Sequence, residues 1–107
     1  MTGVQISAQE LHTLIEQGLP SDSLILDVRT PEEFSKGAIP GAKNIPVDEL
    51  TGQVETLRSY KKIYSYCLSG GRSQIAVALL ASSGIDAELY NVTSGILAWR
   101  KEGYTLV

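Results

Sequence analysis

Ile63-Tyr64-Ser65-Tyr66-Cys67-Leu68-Ser69-Gly70-Gly71-Arg72-Ser73 reads as a strand, a tight loop and the opening of a helix. An aromatic and β-branched run, Ile63 to Tyr66, ends at the only cysteine of the chain. Four residues, two of them glycine, then separate Cys67 from Arg72. Gln74-Ile75-Ala76-Val77-Ala78-Leu79-Leu80-Ala81 is rich in helix formers and long enough for several turns, with Gly84 as its stop.

This order of elements makes an anion site without a basic protein around it. Successive N–H groups of a glycine-bearing loop point inward, and the free donors of the following helix point the same way. A thiol at the mouth of such a nest loses its proton more easily, because the dipoles favour the thiolate. Arg72 adds a planar donor fork suited to oxyanions, or else pins its loop through a carboxylate. Gly70 and Gly71 allow close backbone approach and unusual dihedrals. The expectation is a thiolate nucleophile in an anion cradle.

Composition sets the limits. The 107 residues suffice for one domain, residues 1–107, with a real core. At 43% hydrophobic, 20% charged and net charge −3, the chain lacks the basic stripe that nucleic acid or an anionic membrane surface requires. No apolar run reaches the length of a membrane span and no signal pattern opens the sequence, so a cytoplasmic location is expected. One cysteine and one histidine make neither an internal disulfide nor a zinc cluster, and no cofactor is implied. Anything loaded on Cys67 must therefore be removed by an outside acceptor.

Along the chain, Gly3 to Ile6 is expected as a short strand. Ser7-Ala8-Gln9-Glu10 has the capping-box form, and Leu11, Leu14 and Ile15 share one face of the helix that it opens and Gly18 closes. His12 beside that stripe reads as a surface or boundary residue. Leu24-Ile25-Leu26-Asp27-Val28 suits a strand covered on both faces. Thr30-Pro31-Glu32-Glu33 is a second capping box, for a short helix ending near Gly37. Asp27 and Arg29 flank the strand end, where ligand contacts occur in open α/β sheets, and a structural ion pair is the favoured reading of both.

Lys43 to Pro46 reads as an edge strand, Val47 to Leu57 as one or two helical turns around Gly52, and Arg58 to Lys62 as a connector. Ala87 to Tyr90 reads as another strand, Asn91 to Gly95 as a loop, and Ile96 to Lys101 as a last short helix ended by Gly103. Tyr64 and Tyr66 are expected as core or loop support, and Trp99 as packing beneath the site. Alternating strands and helices define an α/β domain with a mainly parallel sheet and helices on both faces. The loops at the carboxyl ends of its strands share one rim, which gathers Asp27 to Arg29, Cys67 to Arg72 and Tyr90 to Gly95.

These residues resemble a family. Leu26-Asp27-Val28-Arg29-Thr30-Pro31-Glu32-Glu33-Phe34, with Gly37 to Ala42 and Asn44-Ile45-Pro46, resembles the amino-terminal signature of the rhodaneses. Cys67-Leu68-Ser69-Gly70-Gly71-Arg72-Ser73 resembles their active-site loop, and Ser94-Gly95 through Ala98-Trp99 their carboxyl-terminal signature. The resemblance implies a three-layer α/β/α domain with about five central strands, and a single-domain sulfurtransferase. By it Cys67 takes the outer sulfur of thiosulfate or a related donor as a persulfide, and cyanide or a thiol acceptor removes it. The acceptor would be a thioredoxin-like protein or another protein thiol. The N–H groups of Leu68, Ser69, Gly70, Gly71, Arg72 and Ser73 hold the persulfide and the oxyanion, with Arg72 positioning the latter and Asp27, Arg29 and Trp99 in support.

The loop length argues against the related phosphatases and arsenate reductases, which place five residues between cysteine and arginine. Two positions depart from the family pattern. Ala38 replaces a common histidine, with a consequence for packing. Leu68 stands where many thiosulfate-using members carry arginine or lysine, a loss of about 1 kcal/mol toward a doubly charged donor. It points to a less anionic or larger donor, such as a polysulfide or a protein persulfide. Two alternatives to the enzyme are a persulfide carrier within a relay and a non-catalytic docking module.

Overall fold

The computed structural model describes residues 3–107. Its centre is one sheet of five parallel strands: β1 (Val4–Ile6), β2 (Ser23–Asp27), β3 (Lys43–Asn44), β4 (Lys62–Tyr66) and β5 (Glu88–Val92), in the spatial order β1-β5-β4-β2-β3. The helices are α1 (Ala8–Gln17), α2 (Pro31–Ser35), α3 (Val54–Leu57), α4 (Gly71–Ser82) and α5 (Gly95–Lys101), with a 3-10 stretch over Val47–Gln53.

Alternation along the strands divides the core in two. Leu24, Leu26, Ile63, Cys67 and Leu89 face one layer, where they meet Ala76, Val77 and Leu80 of α4 and Leu50, Val54 and Leu57. Ile6, Ile25, Tyr64, Tyr66 and Val92 face the other, against Leu11 of α1 and Ile96 and Trp99 of α5. Strands covered on both faces read as continuous apolar runs, which is why β2 and β4 do. The result is the expected α/β/α sandwich.

Both capping boxes form. Ser7 Oγ accepts the Glu10 N–H at 3.0 Å while Glu10 accepts that of Ser7 at 2.9 Å. Thr30 and Glu33 make the same exchange, with proline at the first turn of α2. Several boundaries differ from the sequence expectation. Helix α4 begins at Gly71 rather than Gln74, because Gly70 adopts φ 113° and caps it in the left-handed region. Strand β5 runs to Val92 rather than Tyr90, since Asn91 still pairs with Ser65 of β4 and Gln5 of β1. Helix α5 starts at Gly95, and the Val47 to Leu57 stretch runs through Gly52 as 3-10 turns leading into α3. No helix among the described residues is long and apolar enough to cross a membrane.

Candidate active site

Because all five strands are parallel, the segments after β2, β4 and β5 emerge on one rim. The segment after β4 is the loop from Cys67 to Gly70, which closes on itself around the sulfur. Cys67 is buried, and its Sγ accepts the Gly70 N–H at 3.1 Å and lies 3.5 Å from the Ser73 hydroxyl. Burial pushes the thiol up. The Ser73 hydroxyl and the N–H groups of Ser73, Gly70 and Ser69 outweigh that effect and leave its pKa below the ordinary value. The thiolate is thus favoured by hydrogen bonds, with no histidine beside it.

The orientation of these N–H groups has a structural source. The Cys67 carbonyl accepts the Ile96 N–H at 3.0 Å, and the Leu68 carbonyl accepts that of Leu97 at 3.1 Å. In a planar trans peptide the C=O and the following N–H point in opposite directions. Turning these two carbonyls toward α5 therefore turns the N–H groups of Leu68 and Ser69 away from α5 and into the loop. Gly95 permits the close approach, since a Cβ there would lie 2.7 Å from the Leu68 carbonyl oxygen. The loop is built from both sides, by α4 behind it and α5 beneath it.

Arg72 does not project freely from the cradle. Its Nη1 and Nη2 donate to Glu33 Oε1 and Oε2 at 2.7 and 2.9 Å. Hydrogen bonds from Arg72 hold the Glu33 carboxyl at about 2, well below its usual range. Of the two roles open for Arg72 in the sequence, the geometry shows the loop-pinning contact. Glu33 was visible in the sequence only as a capping residue.

Asp27 and Arg29 form the structural ion pair. Arg29 Nε and Nη2 reach Asp27 Oδ1 and Oδ2 at 3.0 and 2.7 Å, and both side chains are buried. Arg29 Nη2 also donates to the Gly37 carbonyl at 2.7 Å, and the guanidinium lies 5.7 Å from the Tyr66 ring centre. The Tyr66 hydroxyl accepts the Ile39 N–H at 3.1 Å, and burial pushes its pKa up, so the phenol stays neutral. Tyr64 stacks on Tyr90.

Trp99 is packing, but in the layer opposite Cys67 rather than beneath the sulfur. Its Nε1 donates to the Thr105 carbonyl at 2.9 Å and its ring meets His12 and Tyr104 edge-on. His12 lies at the boundary, stacked on Tyr104. The mouth of the site is apolar on one side, where Leu68 and Leu97 are 36% and 47% exposed. Next to Ser69 lies an open groove of about 450 Å³ lined by Gln9, Ser94, Leu97 and Lys101. Gln5, Asn91 and Gly95 also bear on the loop. The sequence placed Asn91 and Gly95 on this rim through the stretch Tyr90 to Gly95, but offered no signal for Gln5.

The chain is thus a parallel α/β sandwich that holds a buried cysteine at the base of an amide-lined loop. The model of the rhodanese-like domain matches residues 7–102, and the chain belongs to the rhodanese-like family. A sulfurtransferase of Allochromatium vinosum is 35% identical over 86 residues, covering 80% of this chain and 79% of that one. Two relatives from Bacillus subtilis are longer, and the chain spans 59% and 40% of their lengths. Among solved structures, a rhodanese-related protein from Thermoplasma volcanium aligns with a TM-score of 0.81 at 35% identity, covering 96% of each chain. A thiosulfate sulfurtransferase from Pseudomonas aeruginosa aligns with a TM-score of 0.87 at 25% identity, over 98% of this chain and 20% of that one.

Proposed function

We propose that the chain transfers sulfane sulfur through a persulfide on Cys67. The observation that carries this reading is a thiol buried at the base of a loop whose hydrogen bonds lower its pKa. The Cys67 thiolate attacks the outer sulfur of the donor, an Sγ–S bond forms, and the donor's S–S bond breaks. With thiosulfate, sulfite leaves with the electron pair. In the second half, a nucleophile attacks the outer sulfur and Cys67 departs as thiolate. Cyanide yields thiocyanate, and a thiol acceptor yields a new persulfide. Splitting the transfer in two needs no general base, provided the loop keeps the sulfur ionised. The N–H groups of Leu68 through Ser73 serve the persulfide and the oxyanion.

The donor class follows from the charges at the mouth. Arg72 is engaged by Glu33 and Arg29 by Asp27, so a dianion would meet backbone dipoles and an exposed Leu68. The same observation favours a carrier role in which a protein persulfide, or a larger polysulfide whose charge is spread along its chain, supplies the sulfur and a protein thiol receives it. Such acceptors suit a reducing compartment, and the proposed location is the cytoplasm.

The test is the intact mass of the protein and of Cys67→Ser after thiosulfate, polysulfide or a protein persulfide, followed by cyanide. One added sulfur atom on the unaltered protein, absent in Cys67→Ser and released as thiocyanate, is the expected result. No gain with any of the three donors refutes the transfer, and partner capture that survives Cys67→Ala then supports a docking module.

A further inference from the structure

The cradle has a polar tail that the proposed reaction leaves unused. Ser73 carries one hydroxyl proton and has three acceptors for it: Cys67 Sγ at 3.5 Å, the Gly70 carbonyl at 3.1 Å, and Asn91 Oδ1, the nearest. Asn91 is buried on β5, in register with Gln5 of β1. Its Nδ2 donates to Gln5 Oε1 at 2.9 Å, and Gln5 Nε2 donates to Gln74 Oε1 at 3.3 Å. Thr93 Oγ1 also donates to Gln5 Oε1, at 3.1 Å. Beyond Ser73, each amide donor of the chain points away from the sulfur.

The links beyond Ser73 are three primary amides. Each carries a donor and an acceptor on one planar group, and a half-turn exchanges them. If all three turn, Gln74 donates to Gln5, Gln5 to Asn91 and Asn91 to Ser73, which leaves the Ser73 proton for Cys67. A buried Asn91 keeps partners at both ends in either sense, so neither orientation carries the cost of an unpaired polar group.

We propose that Asn91, Gln5 and Gln74 form an orientable amide chain that delivers the Ser73 proton to Cys67 when the sulfur is a thiolate and withdraws it when the sulfur is neutral. Asn91 is then a positioning residue for the nucleophile, and Gln5 is its control point at the surface. The charged groups nearest the sulfur are paired: Arg72 with Glu33 of α2, and Arg29 with Asp27 at the end of β2. Helix α5 presents its N-terminal backbone, with Arg100 and Lys101 in its last turn, and the ionisable groups of β5 are Glu88 and Tyr90. The inference rests on Cys67 acting as a thiolate but not on its sulfur chemistry.

The experiment is the rate of Cys67 alkylation by iodoacetamide against pH, at 0.05 and 0.5 M NaCl, in the full chain. A carboxylate only accepts, so Asn91→Asp and Gln5→Glu each fix the chain in its outward sense. Asn91→Asp is expected to slow alkylation about tenfold below the midpoint and raise that midpoint by about one pH unit. Gln5→Glu, at an exposed position that does not threaten folding, is expected to act in the same direction by at least ~2-fold. Its effect should persist in 0.5 M NaCl, where a Debye length of about 4 Å screens a through-space charge. A Gln5→Glu profile that superimposes on the unaltered one, or a shift that vanishes in salt, overturns the chain. An ordinary thiol midpoint in the unaltered protein overturns the thiolate reading itself.

Discussion

The backbone N–H of Ile96 donates to the carbonyl oxygen of Cys67 at 3.0 Å, so the first turn of the last helix grips the peptide of the cysteine itself. Gly95 makes that grip possible. Gly95→Ala should force α5 off the loop, because its Cβ would overlap both the Cys67 and Leu68 carbonyls. The expected outcome is a thermally less stable protein in which Cys67 alkylates with the pH profile of an ordinary thiol. A normal rate and a normal midpoint in this variant would remove α5 from the account of the cradle.

The Glu33–Arg72 pair ties α2 to the active-site loop. In a double-mutant cycle, Glu33→Ala and Arg72→Ala should each slow sulfur loading, and the double variant should resemble either single one. If Arg72 faced the donor independently, Glu33→Ala would leave loading unchanged. The pair is about one-third exposed, so its worth is about 1 kcal/mol. Its sign with pH is fixed by a carboxyl held at about 2 against 4.5. The stabilisation is fully present above pH 4.5 and disappears as pH falls toward 2. Acid titration of Glu33→Gln should lack that segment of the curve.

Cys67 works in the same sense at higher pH. Its folded value lies below the ordinary thiol value of 9.0, so the unfolded chain holds the proton longer as pH rises. Stability attributable to this group is absent at low pH, grows as pH passes the folded value, and is complete above about 9. Ser73→Ala removes the hydroxyl from the sulfur and should raise the alkylation midpoint by about one pH unit. Far-ultraviolet dichroism of the same samples separates that effect from misfolding.

Leu68 is the position through which the proposed donor choice is tested. Leu68→Arg should lower the KM for thiosulfate by about fivefold, the equivalent of about 1 kcal/mol from one partly exposed charge. It should leave loading from an uncharged donor, such as a dialkyl trisulfide, almost unchanged. Equal effects on both donors would mean that residue 68 acts through the loop's shape instead.

The layering of this fold was plain in the sequence because its strands are short, apolar and separated by capped helices. Ser7 and Thr30 opened helices where their capping boxes required. Cys67 and its glycines were legible because they are consecutive and need no tertiary partner to be recognised. What escaped was whatever depends on register. Asn91 looks like a loop residue until β5 is paired with β1 and β4, and only then does it meet Gln5. Glu33 satisfied a local rule as a cap, which concealed its contact with a residue thirty-nine positions away. Trp99 was legible as packing, yet which layer it packs in is decided by the face that α5 covers.

The grip of Ile96 and Leu97 on the Cys67 and Leu68 carbonyls also sets an order in time. Synthesis delivers the cysteine and its glycines well before residues 95 to 97, so a growing chain carries a thiol without its cradle. A chain stopped after Thr93 should react with iodoacetamide as an unstructured cysteine does. The proposed nucleophile would then be armed late, once residues 95 to 97 can reach its loop.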